Sequence, residues 1–281
     1  MSASATALPL PAARFTDLLA AEWIKLRSLR STYWALGASA VFIIAFNVNA
    51  ARTDHSGLPR SDGAAHVELL VHLSLRDAFT QGAALMLVLA ASSIGAITVV
   101  GEYATGLIRT TFAAVPDRRA LMTAKVAVVT AVMTLYGALI AGASFAATQA
   151  ILDGRGRGVP IGHPGALRVV VASALLAPVC ALVGMGLGAL IRHSATTMVL
   201  TTFVLMLLPG FITDRYHWTA CVRNALPFNA WDRLVDIGYG HEPYTLVPRW
   251  QTTVTGGWIV FGVWAFVAAV VAVVAVDRRD V

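Results

Sequence analysis

Charge is what this chain has least of. Only 13% of its 281 residues are Asp, Glu, Lys or Arg, against 57% hydrophobic, and the mean hydropathy is +0.71. That composition lies far outside the soluble range and excludes an ordinary water-soluble domain. Cysteine is almost absent. Cys180 and Cys221 are the only two; one falls in an apolar run and the other in a loop, so no disulfide and no metal site is expected from them. The apolar stretches lack the alternating polarity of barrel strands, which leaves helices as the form that satisfies their backbone in lipid. No basic segment leads into a short apolar core with a cleavage site, so no cleavable signal is expected. Residues 1–13, small, apolar and Pro-containing, are expected to be disordered.

Six long apolar runs remain, at 33–51, 79–100, 126–150, 169–191, 196–213 and 258–276. Each has about 18 to 25 residues, enough to cross a hydrocarbon core of roughly 30 Å at 1.5 Å per residue. Residues 14–281 are therefore expected to form one all-α membrane domain with six transmembrane helices. Six crossings put both termini on one side. That side holds eleven basic and six acidic residues, the other ten and nine. The basic residues on the first side sit closer to the span ends, so both termini are expected to be cytoplasmic.

The connector 101–125 is the most informative segment. Thr105 can cap a short helix running to Ala114, with Leu107, Ile108 and Phe112 as its apolar positions. Pro116 stops that helix, and Asp117 starts the next one. Arg109, Arg118 and Arg119 surround it. It is either a solvated turn that only sets topology or a surface helix shaped to be gripped by a partner.

Residues 14–30 read as an amphipathic helix lying along the membrane. Phe15, Leu18, Leu19, Leu26 and Leu29 share a face, and Tyr33 and Trp34 follow at headgroup level. Glu22 sits in the middle of the apolar face. A buried carboxylate needs a partner. Arg109 or Lys125 of the connector can supply it; alternatively Glu22 reaches water, or pairs only with Lys25 three residues on.

Glu102-Tyr103, Thr105-Gly106, Arg109-Thr110-Thr111, Pro116, Arg118 and Lys125 resemble the cytoplasmic loop of ABC-2-type transporter permeases. The run from Ala21-Glu22-Trp23-Ile24-Lys25 to Tyr33-Trp34 is similar to the approach to the first span in the same family. The resemblance covers nearly the whole chain. It implies that 105–114 is a coupling helix and that Glu102, Thr105, Gly106, Arg109, Phe112, Pro116 and Arg118 meet a separate cytoplasmic ATPase. Glu22 and Lys25 would belong to the interfacial helix. It further implies a second permease subunit, a transport path between the two, and short outer helices between the last two spans.

The remaining loops carry little chemistry. The segment 52–78 reads as a polar loop of mixed charge, and its His55, His66 and His72 lack metal-ligand spacing. Gly-Arg-Gly-Arg-Gly at 154–158 reads as a flexible outer loop without the Lys-Ser/Thr of a phosphate cradle. Gly184-Met-Gly-Leu-Gly188 predicts close helix packing. Pro209-Gly210 is expected to end or bend the fifth span. The aromatic segment 214–257, with a helix-like piece at 229–237, is expected to be interfacial or re-entrant, or else an outer loop lying on the membrane. Trp231 and Tyr239 are its candidate outer-gate residues, hinged at Pro209-Gly210 and Gly238.

Three function classes compete. An ion-coupled secondary transporter places ionisable groups at mid-membrane, and an intramembrane enzyme needs convergent nucleophiles, acids or metal ligands there. The apolar runs supply neither. A transport subunit driven by another chain's ATPase fits best. This chain lacks a Walker A sequence, so ATP would be used by the partner and no cofactor is bound here. An uncharged path suits an amphipathic or apolar cargo such as a drug, lipid or natural product. No nucleic-acid partner is expected, and the place is the cell membrane.

Overall fold

The computed structural model describes residues 14–53, 64–114, 117–154, 156–213, 215–236 and 250–278. Among them every regular element is helical. The chain is an all-α membrane protein with six helices long and apolar enough to span a bilayer. The order is α1 (Phe15–Ser28), α2 (Arg30–Thr53), α3 (Ala64–Ala78), α4 (Gln81–Ala104), α5 (Leu107–Ala114) and α6 (Arg118–Asp153). There follow α7 (Ala166–Ile191), α8 (Ser194–Thr202), α9 (Leu208–Phe211), α10 (His217–Asn224), α11 (Pro227–Val235) and α12 (Val254–Asp277). The expected disordered start, 1–13, lies outside the described residues.

At the centre stands α7, the most buried of the spanning helices, and small residues put it there. A methyl added to Gly95 of α4 would strike the Ala181 carbonyl of α7, and one added to Gly184 would strike the Ser92 carbonyl. Gly186 faces Ala268 of α12 in the same way. Lipid supplies no hydrophobic drive between helices, so such backbone-to-backbone approach is the main route to packing energy. Pro178 adds a second device. Lacking an N–H, it leaves the Ala174 carbonyl without its helical donor four residues on. Gly137 of α6 packs its backbone against that same carbonyl, a place where a Cα–H can partly substitute.

The fifth span is built in pieces. Pro209 cannot donate to the carbonyl four residues back, and the preceding turn widens into a π-helix at Phe203–Leu207, closed by Leu208 N–H donating to the Phe203 carbonyl. The helix then ends at Phe211, one residue past the Pro-Gly pair. Between α7 and α8 only Arg192 and His193 intervene; Arg192 is left-handed, φ 60°, and returns its N–H to the Gly188 carbonyl at 2.9 Å.

Two expectations are corrected. The supposed loop 52–78 contains α3, because Val71, Leu75 and Ala78 recur at helical spacing and pack on Phe145, Val159 and Ala166. Arg76 is exposed while Asp77 is buried beside that stripe, and charges mixed among the apolar positions made the composition read as a loop. Trp231 is packed inside the bundle and does not face lipid. It is 1% exposed, donates its indole N–H to Ser173 Oγ at 3.1 Å, and sits edge-on to Phe79. The helix carrying it, α11, spans 227–235 rather than 229–237 and packs on α7 and α12. Tyr239 and Gly238 lie outside the described residues.

At 36 residues α6 is about 54 Å long, well beyond the roughly 30 Å core, so it projects from the bilayer. Its first turn is tied to the last residue of α12 by Arg119, whose guanidinium meets Asp277 at 2.7 Å. With α1 packed on the start of α6, the two described ends of the chain lie at one end of the bundle.

Candidate functional site

The connector begins where α4 ends. Thr105 is the C-cap of α4 and not, as expected, the N-cap of α5: its backbone N–H and its hydroxyl both donate to the Gly101 carbonyl, at 3.1 and 2.8 Å. Gly106 then takes φ +71°, a left-handed conformation that needs no Cβ, and turns the chain into α5. The eight residues of α5 bury Ile108 and leave Leu107 56% exposed. Phe112 faces inward, packing beside Leu18, Leu121 and Ala124 under the Arg118 guanidinium, 4.9 Å from its ring centre. Asp117 caps α6 by accepting from Ala120 N–H at 2.9 Å. Pro116 and the Arg109 side chain lie outside the described residues.

Behind the connector four charged side chains close into a ring. Glu22 of α1 accepts from Lys25 Nζ on Oε1 at 2.7 Å and from Lys125 Nζ on Oε2 at 2.5 Å. Glu102 of α4 accepts on Oε1 from both amines, Lys125 at 2.9 Å and Lys25 at 3.1 Å. Each ammonium therefore touches both carboxylates, and the net charge is zero. Glu22 and Lys125 are fully buried, at 3% and 5% exposure. A single charge left in such a place costs several kcal/mol, which a closed, hydrogen-bonded ring avoids. Burial pulls the Lys25 amine toward a lower pKa. The hydrogen bond to Glu22 and the negative charges of Glu102 and Glu22 outweigh it and hold the amine above its ordinary 10.5.

The ring joins three elements that the sequence leaves separate. It fastens α1 to the end of α4 and the start of α6, on either side of α5. Of the alternatives for Glu22, Lys125 of the connector is its partner and the pair with Lys25 is made as well, while burial keeps the carboxylate from reaching water. Glu102, assigned by resemblance to an outward contact, points inward and closes the ring. That role had a signal in the sequence, since Glu102 and Lys125 are opposite charges just beyond the ends of two adjacent apolar runs.

A second tie holds the end of α4. The Arg192 guanidinium, in the turn between α7 and α8, lies 4.7 Å over the ring of Tyr103 near the end of α4. At the opposite end of the bundle Asn47 of α2, fully buried, donates to Ser144 Oγ of α6 at 3.0 Å. Its Oδ1 accepts from the Thr80 N–H and hydroxyl that begin α4. Together the two anchor points hold α2, α4 and α6 in register.

Among the described residues no group of His, Cys, Asp or Glu is arranged to hold a metal ion. Cys180 is buried and Cys221 exposed, and both are free. No family model matches the chain, and no curated protein matches it.

Proposed function

We propose that this chain is the membrane-spanning permease subunit of an ABC-2-type transporter, moving an amphipathic or apolar cargo outward with energy from a separate ATPase. The observation that carries this reading is α5, a short helix between two spanning helices, roped through the charge ring to α1. Such an arrangement suits mechanical coupling: a push on α5 is shared at once by α1, α4 and α6, because all three hold the same four charges. The absence of a Walker A sequence assigns ATP to a partner. The membrane is the cell membrane, with both termini and α5 cytoplasmic, in keeping with the basic residues clustered near the span ends on that side. A second permease subunit completes the transport path.

The surface offered to the ATPase is the side of α5 that carries the exposed Thr110. Thr110→Glu places a charge there without touching the buried side of the helix or the cavity behind it. Co-purification with an ATPase encoded beside this chain should be lost while the permease still folds and inserts. An unchanged complex would remove α5 as the coupling element.

A further inference from the structure

Beneath α1 lies a cavity of about 640 Å³, within the range of roughly 300–1,000 Å³ usual for ligand pockets. Its polar end is the charge ring, with Glu22, Lys25, Glu102 and Lys125 all in its wall. Its other end is apolar and runs along α4 to Ile94, eight residues and about 12 Å from Glu102. The opening has a structural cause. Helices α2 and α4 touch at their far ends, where Asn47 meets Thr80 and Phe46 covers Gly82. At their near ends Thr32 and Ala35 face Ile97 and Thr98 across the cavity instead. Ile97, 44% exposed, stands at the mouth of this fork.

We propose that the cavity holds one chain of a resident bilayer phospholipid whose headgroup carries a primary ammonium and a phosphate. Three observations select that occupant. The polar end lies at Glu102 and Lys125, just beyond the apolar runs 79–100 and 126–150, and the apolar end runs back along α4, so a headgroup and a chain fit in that order. The ring is neutral, which disfavours an anionic headgroup and fits a zwitterion. It also keeps one acceptor and one donor spare. Among the described residues Glu102 Oε2 accepts no hydrogen bond, and Lys25, its side chain 40% exposed, has used two of its three N–H groups. An ammonium on Glu102 and a phosphate oxygen on Lys25 satisfy both.

The hydroxyls lining the cavity sharpen the choice. Ser28, Thr98, Thr105 and Thr111 all donate to backbone carbonyls of their own helices, at 2.7 to 2.8 Å. Their oxygens are left as acceptors; among the described residues only Ser31 and Thr32 of the lining hydroxyls keep an unused O–H, so acceptors outnumber donors in the wall. A primary ammonium brings three N–H groups and a quaternary one none, and phosphatidylethanolamine is favoured over phosphatidylcholine.

The test is native mass spectrometry of the full chain, released from nanodiscs of phosphatidylethanolamine, phosphatidylcholine or phosphatidylglycerol. One phosphatidylethanolamine per chain should be retained, about tenfold more than either other lipid. Ile97→Trp, which fills the mouth from a half-exposed position, should abolish retention without unfolding. Glu102→Gln should bring phosphatidylethanolamine down to the level of phosphatidylcholine. Equal retention of phosphatidylglycerol, or retention unaffected by Ile97→Trp, would overturn the proposal. So would an Ile97→Trp variant that loses a second protein copy rather than a lipid, since the cavity would then be a subunit interface.

Discussion

Glu22 and Lys125, 103 positions apart, are joined by a buried ion pair of 2.5 Å, and among the described residues neither has a close alternative outside the ring. Removing Glu22 leaves Lys125, still desolvated, to share Glu102 with Lys25, and gives the buried ring a net positive charge. Glu22→Gln is therefore expected to cost about 3–5 kcal/mol, while the double variant Glu22→Met, Lys125→Met costs much less than either single change. Thermal unfolding in one detergent compares them. Additive losses would show that the pair is not a coupled unit.

The same pair should matter for coupling. In reconstituted complexes with the ATPase, a stably folded Lys125→Met variant is expected to hydrolyse ATP with less transport per turnover. Loss of ATPase binding instead would make the ring part of the docking surface and not of the linkage behind it.

Close approach at α4 and α7 gives a sharper stability test. Gly184→Val must displace the Ser92 backbone and is expected to cost at least about 1–3 kcal/mol, or to prevent folding. Gly142→Ala meets nothing within 4 Å and should be neutral, or more stable by about 0.5–1 kcal/mol through helix propensity. Similar melting shifts for the two would contradict the packing described.

Trp231 is a packing residue before it is anything else. Trp231→Ala should cost about 3–5 kcal/mol through the cavity it leaves, and Trp231→Phe about 1 kcal/mol through the lost bond to Ser173. Transport per folded molecule should be unchanged in Trp231→Phe. A specific loss of transport at full stability would restore Trp231 to a gating role.

Topology is open to direct labelling. With Cys180 and Cys221 replaced, Gly162→Cys is expected to react with an impermeant reagent from outside. Thr105→Cys should react only after the membrane is opened. The reverse pattern would place α5 outside the cell and remove any cytoplasmic partner.

Much of the fold was readable in the sequence. The six spans follow from apolar runs and bilayer thickness, and the glycines at 184–188 announce the tight contact that α7 makes. Asp117 was legible as a cap because capping is a local hydrogen bond. Thr105 was misplaced by one helix, since a threonine between two helices can serve either neighbour, and only the left-handed turn at Gly106 decides. For α3, a mixed-charge composition hid the stripe of Val71, Leu75 and Ala78. Trp231 was misread because aromatic residues favour both interfaces and interiors, and composition alone does not choose.

The sequence by itself determined that the chain lives in a bilayer as a bundle of helices, with a polar connector at 101–125, because hydropathy and helix length are local properties. It also marked Glu22 as a carboxylate on an apolar face, which stays charged only with a partner or by reaching water. Only the tertiary structure decided which one. The ring of Glu22, Lys25, Glu102 and Lys125 needs three helices brought to one point, and the cavity beside it needs two helices to part. Such juxtapositions depend on how the backbones cross at Gly95, Gly137 and Gly184, and no pattern along a single helix carries that information.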